Sequence, residues 1–363
     1  MSNILAFGTY NTRKHPRVGI LIEGLRCNGC QVTEINRPLT LSTADRVAML
    51  QQPWKVFGLI KTLAVLWYQL SREAKAWMRA NNRPDAILVG YMGHFDVLLA
   101  HHLFRGIPIV LDHLIFAGDT AKDRGAKGFK VKLLNRLDRL ALDAATLVLT
   151  DTEEHQSMLK DTDRSLVVPV GAQQQWYDAG KHSTHTRGDI IFFGLYTPLQ
   201  GVPVIADALL ILNAEGIHPN VTLIGKGQDY EQVWNKLHKL PEVHFIDWVD
   251  PEQLPEAVAS NSIALGIFST TAKGMRVIPN KVYESMAAGC AVVTSDTPPQ
   301  NRLVGAGTIL VPPGDPQKLA AALRVLLSDA SARDHAMRAA RATGAKYSAR
   351  RITAQLSKTI ENL

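Results

Sequence analysis

Two periods of apolar residues run through this chain. Short runs that are apolar almost throughout, among them NILAFG (Asn3–Gly8), DAILVG, IPIVLD and TLVLTD, are separated by longer stretches in which apolar positions recur every three or four residues. A strand without a polar face has to be covered on both sides, which is the condition of a parallel sheet between helices. The first half therefore predicts a Rossmann-like unit, with QVTEIN (Gln31–Asn36) as a further strand and a long helical region from near Ala44 to Asn81. The second half repeats the alternation through IIFFG, VTLIG, VHFIDW, IALGIF, AVVTS and GTILVPPGD, and ends in three helical segments. The stretch Pro169–Asp189, PVGAQQQWYDAGKHSTHTRGD, is polar and without a period.

The boundaries that follow are a first α/β domain over 1–170, a linker over 171–188, a second doubly wound parallel-sheet domain over 189–345, and a C-terminal helix over 346–363 crossing back to the first domain. A length of 363 residues agrees with two cores, since single cores stop growing near ~250–300 residues.

Composition narrows the class. With 46% hydrophobic and 20% charged residues the chain is an ordinary globular one, neither disordered nor membrane-spanning. The stretch Val56–Leu70, VFGLIKTLAVLWYQL, is interrupted by Lys61 and falls short of the ~20 residues a spanning helix needs. It reads as a core helix, or as a monotopic lipid contact through Phe57, Leu66 and Trp67. The start, MSNILAFGTYNT, lacks the pattern of a signal peptide and predicts a cytoplasmic chain.

A net charge of +7 calls for an acidic partner. Its densest concentration, Lys122–Arg139, holds seven Lys or Arg against two Asp, with Leu133, Leu134 and Leu137 on one side. That pattern predicts either a solvated helix face or a basic helix against an anionic surface, at the inner face of the membrane. Nucleic acid is disfavoured, because exposed aromatics and a recognised binding module are missing. Of the three cysteines, Cys27 and Cys30 form a lone CxxC without neighbouring ligands, and read as buried thiols.

Ligands of open parallel sheets sit beyond the carboxyl ends of the strands, so the loops there carry the candidate chemistry. After the first strand, Gly8 permits close backbone approach and Arg17 stands at the next helix N-terminus, where anions are favoured. GYMGHFD offers His94 and Asp96, and LDHLIFAGDT offers Asp112, His113 and Asp119, as acid–base or hydrogen-bonding groups. Capping the following helix is the competing role for each. In the second half, Gly194 and Gly225 follow apolar strands, as backbone contacts to a phosphate require, although neither belongs to a Walker A or GxGxxG motif. STTAKGMRVIPNK then brings Lys273, Arg276 and Lys281 to the start of the helix of Glu284, where fixed cations and the helix dipole favour a diphosphate. DTD (Asp161–Asp163) lies after a helix, and neither HExxH nor EF-hand spacing occurs, so the expected site is metal-independent.

These segments, above all GIFSTTAKGMRVIPNKVYESMAAGCAVVTSD, resemble glycosyltransferase family 4: retaining, nucleotide-sugar-dependent enzymes of the GT-B fold, in which two Rossmann-like domains face a cleft. The resemblance implies that Glu284 holds the donor ribose, that Gly194 lies under the diphosphate, and that Gly225 and the loop Asp247–Asp250 border the base. It maps the family's catalytic histidine onto His113, with Asp112 one residue away and Asp119 within the same loop. Gly8, Arg17 and His94 fall on the acceptor side. The implied partners are a nucleoside-diphosphate sugar and a glycan, glycolipid or small-molecule acceptor, with no cofactor or metal. The chain departs from the family at Arg276, where a Glu is common, and at Leu195 and Gln200, where an Arg and a Lys are common. Those departures keep a catalytically silent GT-B binding subunit, or a nucleotide-sugar epimerase, as alternatives.

Overall fold

The computed structural model describes residues 1–13, 15–39, 55–123, 125–183 and 188–363, and its chain divides into two compact units. The first comprises Met1–Asp151, His155–Val168 and Ala349–Leu363, and the second Thr152–Glu154 and Pro169–Ser348.

In the first unit the order is β1 (Asn3–Gly8), α1 (Arg17–Cys27), β2 (Gln31–Asn36), α2 (Lys55–Ala80), β3 (Ala86–Val89), α3 (Asp96–Leu103), β4 (Ile109–Asp112), α4 (Ala117–Asp123), α5 (Phe129–Asp143), β5 (Leu147–Thr150), α6 (Glu153–Gln156, which straddles the boundary) and β6 (Ser165–Val167). The six strands form one parallel sheet in the order β2-β1-β3-β4-β5-β6. Its central strands are apolar because both faces are covered: Leu5, Phe7, Ile87, Val89 and Leu111 share one core with Leu70, Ala74 and Ala100 of the flanking helices. The residues 40–54, which include the start of the expected helix from Ala44, lie outside the described residues.

The C-terminal residues of this unit explain why α1 is apolar nearly all round. One side of α1 covers the sheet, and the other receives α15 (Ala349–Ile352) and α16 (Ala354–Glu361). A Cβ on Gly24 would stand 2.1 Å from the Ala349 carbonyl oxygen, so only glycine admits that approach. Asn28 locks the contact by donating to the Gly24 and Arg350 carbonyls at 2.8 Å each. Cys27 is exposed, against the expectation of two buried thiols; Cys30 is buried against Ser357.

The second unit runs α7 (Gln174–His182), β7 (Gly188–Phe193), α8 (Val202–Ala214), β8 (Val221–Ile224), α9 (Tyr230–Leu237), β9 (Val243–Ile246), α10 (Leu254–Ala259), β10 (Asn261–Leu265), a 3-10 turn (Gly274–Arg276), α11 (Asn280–Ala287), β11 (Ala291–Ser295), α12 (Pro298–Val304), β12 (Thr308–Val311), α13 (Pro316–Ser328) and α14 (Ala330–Gly344). Its six parallel strands follow the order β12-β11-β10-β7-β8-β9. Part of the stretch read as a linker is the helix α7. It packs on this unit through Trp176, 3% exposed, whose ring stacks on Phe193 at 5.7 Å. A single buried tryptophan in an otherwise polar stretch gives no periodicity, which is why the pattern reads as loop.

The two strand orders locate the places where ligands bind. Counted from its edge, the second sheet has the dinucleotide-binding order, with its reversal between β7 and β10; the first has the flavodoxin-like order, reversing between β1 and β3. The loops after those strands contain Gly194 and Phe268 in one unit, and in the other His94 and the residues that follow Gly8, the last of β1.

Candidate functional sites in the two units

In the first unit β4 delivers Asp112 and His113 into a buried polar group. Arg17, held at the start of α1, donates from Nε to Asp112 Oδ1 at 3.2 Å and from Nη2 to the Val168 carbonyl at 2.8 Å. Burial raises the Asp112 pKa, and the Arg17 guanidinium opposes the rise. Its second oxygen, Oδ2, has no hydrogen-bond partner. Arg17 is therefore committed to Asp112 rather than to an external anion.

His113 lies against Phe116 at 4.7 Å and His94 at 5.0 Å between ring centres. Burial, then the neighbouring His94, pushes its pKa down to about 3, with Asp138 opposing, so the imidazole is neutral at neutral pH. A neutral imidazole can accept a proton or polarise a hydroxyl, as a catalytic base does. Asp138 of α5 organises the group. It accepts from His94 Nε2 at 2.9 Å and from the Ala117 and Gly118 amides at 2.8 and 3.0 Å, and lies 3.9 Å from His113 Nε2. Burial pushes the Asp138 carboxyl up, but those three hydrogen bonds outweigh it and leave the pKa below the usual value. Among the described residues this is the one cluster with metal-ligating chemistry, its ligand atoms all within 4.8 Å of one another. Three donors already fill Asp138, so the geometry is that of a hydrogen-bonded network.

Asp119 is half-buried in the first turn of α4, and the carboxylate that reaches His94 and His113 is Asp138 instead. Gly8 does close the backbone onto a neighbour, but that neighbour is protein: a Cβ there would stand 2.8 Å from Asp96 Oδ2. Asp96 accepts from Thr9 N at 2.6 Å, Thr9 Oγ1 at 2.8 Å and Trp67 Nε1 at 3.2 Å. Asp96, read from the sequence as a titratable group beside His94, is here a structural acceptor, whereas Asp138 was missed from sequence. The signal for Asp138 was its spacing of seven from Val131 on an amphipathic helix, which puts it on the buried stripe.

In the second unit Gly225 lies against Gly194: a Cβ on Gly225 would stand 2.0 Å from the Gly194 carbonyl oxygen, and its φ is +120°. Gly194, at φ +136°, faces Lys281, whose Nζ would lie 2.9 Å from a Cβ placed there. Lys281 comes from the first turn of α11 and is 5% exposed. Its Nζ sits 3.7 Å above the Phe192 ring centre and makes no hydrogen bond. Burial lowers its pKa well below the ordinary lysine value, with Glu284 opposing. Glu284, one turn along α11, is pushed up to about 8 by burial, with Lys281 opposing.

Lys273, just before the 3-10 turn, and Arg276, at its end, are both half-buried, so the three cations differ in environment. The Arg276 carbonyl accepts from Thr152 Oγ1 at 2.8 Å. Near Gly225, Lys226 is paired with Asp247 at 2.6 Å, and Trp248 is 68% exposed. Buried Tyr196 Oη and Gln200 Oε1 have no partner. Gln200 was marked in the sequence only as a departure from the family, and nothing in its sequence context marked Tyr196.

Fold and strand order together define the class: the chain has the GT-B fold. Anabaena Alr3699/HepE, solved in complex with UDP and glucose, superposes with a TM-score of 0.70 at 18% identity over 100% of both chains. The sucrose-phosphate synthase (tll1590) of Thermosynechococcus elongatus does so with a TM-score of 0.70 at 14% identity, over 100% of this chain and 99% of that one. Residues 187–329, which hold Gly194, Gly225, Lys281 and Glu284, match the family model "Glycosyl transferases group 1". No curated protein matches the sequence.

Proposed function

We propose that this chain is a glycosyltransferase that moves a sugar from a nucleoside diphosphate to an acceptor hydroxyl with the anomeric configuration retained, in the manner of glycosyltransferase family 4. The observation that carries the reading is the group of Lys281, Gly194 and Glu284 at the strand-order reversal of the second sheet, inside the segment that matches the glycosyl transferase model. The likeness to a protein solved with UDP-glucose supports a nucleotide sugar as donor.

In this reading Lys281 meets the diphosphate, and an incoming anion returns the buried amine to its ammonium form. Glu284, which burial disposes to hold its proton in the free protein, ionises against a charged Lys281 and then accepts from the ribose hydroxyls. The Gly194 backbone lies beneath the phosphates. The bond from anomeric carbon to phosphate oxygen breaks while the acceptor oxygen bonds to that carbon on the same face, and the acceptor proton passes to the departing phosphate oxygen. Cationic Lys281 stabilises the charge that develops on the leaving group. His113, steadied through Asp138, is the residue that the family resemblance assigns to catalysis. The acceptor is a glycan, a glycolipid or a small molecule, and none of these steps calls on a metal.

Incubation with UDP-, GDP- and dTDP-sugars and an acceptor extract, with and without a chelator, tests the reading by release of nucleoside diphosphate. Release that survives chelation is expected. Nucleotide binding without release from any donor would instead favour a silent binding subunit, the alternative raised by Arg276, Leu195 and Gln200.

A further inference from the structure

The helix α5 carries a second apolar stripe where none is needed for folding. Val131, Asp138 and Ala141 form its buried face. On the opposite side, at the spacing of one helix face, stand Phe129, Leu133 and Leu140, exposed by 78%, 57% and 47%. Arg136 lies on that same face, with Lys132 and Arg139 along its border, and Lys132, Arg136, Arg139 and Leu140 line a shallow surface depression. Among the described residues no carboxylate pairs with Lys132, Arg136 or Arg139. Leu134 and Leu137, which the sequence grouped with Leu133, are half-buried.

The helix α2 repeats the design. Its buried side holds Leu63, Leu70 and Ala74, while Lys61, Val65, Tyr68 and Arg72 project outward at intervals of three and four. Val65 and Tyr68 are 51% and 64% exposed, and the Arg72 guanidinium lies 5.8 Å from the Tyr68 ring centre. Leu66 and Trp67 are half-buried and do not belong to this outer face; the Phe57 side chain lies outside the described residues. Both helices are fastened to one loop at the carboxyl end of the sheet: α2 through Trp67 to Asp96, and α5 through Asp138 to His94.

We infer that the outer faces of α5 and α2 form a docking surface for an anionic phospholipid bilayer. Apolar side chains flanked by cations are what an interfacial helix presents to acyl chains and headgroups. A solvated helix face would expose the cations without the phenylalanine and leucines between them. Among the described residues no helix is long and apolar enough to cross a membrane, so the contact is peripheral. The surface would bring a lipid-borne substrate to the loop of His94 and Asp96. This goes beyond the proposed activity and does not depend on it.

The test is co-flotation of the full chain with vesicles of phosphatidylcholine alone, or containing a third phosphatidylglycerol, at low and physiological salt. Each cation near such a surface contributes ~1 kcal/mol, about fivefold. The triple variant Lys132→Gln, Arg136→Gln, Arg139→Gln should thus lose roughly 100-fold in partitioning to anionic vesicles. A second triple variant, Phe129→Ser, Leu133→Ser, Leu140→Ser, should lose binding while keeping its net charge. All six side chains face water, so both variants should melt with the wild-type protein. Absence of wild-type binding at low salt overturns the inference. So does binding unchanged in the serine variant, or heparin retention that matches vesicle binding in every variant, since either would mean a bare cationic patch. Because flotation reads lipid alone, failure here leaves the donor assay standing, and the converse.

Discussion

Lys281 gives the sharpest test of the donor site, because its substitution should move stability and affinity in opposite directions. In the free protein its amine is buried, lies over Phe192 and makes no hydrogen bond. An unsatisfied buried polar group costs ~1–3 kcal/mol, and the ring contact, which is strong only for a charged amine, offsets little of that when burial disfavours the ammonium form. Lys281→Met keeps most of the stem and removes the amine, so the unit should gain ~1 kcal/mol, or about 2–4 °C in Tm for a domain of this size. Ligand binding should suffer. A charge-assisted hydrogen bond to phosphate contributes ~1.5–3 kcal/mol, so the Kd for the cognate nucleoside diphosphate should rise about 10- to 150-fold. Calorimetric melting without nucleotide, and titration with UDP, GDP and dTDP, read the two effects separately. If the free variant melts below wild type and nucleotide affinity is unchanged, Lys281 is a packing residue and the donor reading of the site fails.

Two further outcomes follow from the same pocket. Gly225→Ala puts a Cβ against the Gly194 carbonyl at a φ of +120°; strain and overpacking together should cost ~2–5 kcal/mol, seen in urea unfolding of the second unit while the transition of the first stays in place. The raised pKa of Glu284 makes stability pH-dependent: a carboxyl that titrates near 8 folded and near 4.5 unfolded holds its proton more tightly in the native state. Its stabilising contribution is complete below pH ~4.5 and is lost as pH rises toward ~8. In a Lys281→Met background, adding Glu284→Gln should therefore become more favourable with rising pH, with a limiting slope near ~1.4 kcal/mol per unit. A difference that stays flat between about pH 5 and 8 would show that Glu284 titrates normally.

Much of the fold was legible in the sequence because parallel strands covered on both faces leave uninterrupted apolar runs. Each of the runs IPIVLD, TLVLTD, IIFFG and AVVTS contains a strand. The helix α7 was not legible, since one buried tryptophan carries its packing. Lys281 and Glu284 could be placed together from their spacing and the family resemblance. What sequence could not supply was their burial, and burial decides their charge. Lys273 and Arg276 look like equals of Lys281 along the chain, yet both are half-buried, flanking or ending a 3-10 turn, while Lys281 is folded under Gly194. Arg17 failed in the opposite direction. As a cation near a helix start it read as an anion site, and its anion turned out to be Asp112, 95 residues away.

The distribution of unsatisfied polar atoms argues where each unit meets its ligand. Buried polar groups are ordinarily paired, and each exception calls for an explanation. Asp112 Oδ2 and His113 Nε2 lie at the carboxyl end of β4 in the first sheet; Tyr196 Oη, Gln200 Oε1 and Lys281 Nζ lie around the loops that follow β7 and precede α11 in the second. Among the described residues such atoms are fewer at the amino ends, as with Asn3 Oδ1 at the start of β1, whereas random packing faults would fall equally at both ends. Concentration of groups of opposite hydrogen-bonding character at the carboxyl ends, beside the points where strand order reverses, is what a sheet built to receive polar ligands requires. The prediction is directional. Nucleotide should protect the amides around Gly194 and α11 from hydrogen exchange and leave the amino-terminal ends of β7 and β8 unchanged. Protection confined to those other ends would place the ligand on the wrong side of the sheet for every step proposed above.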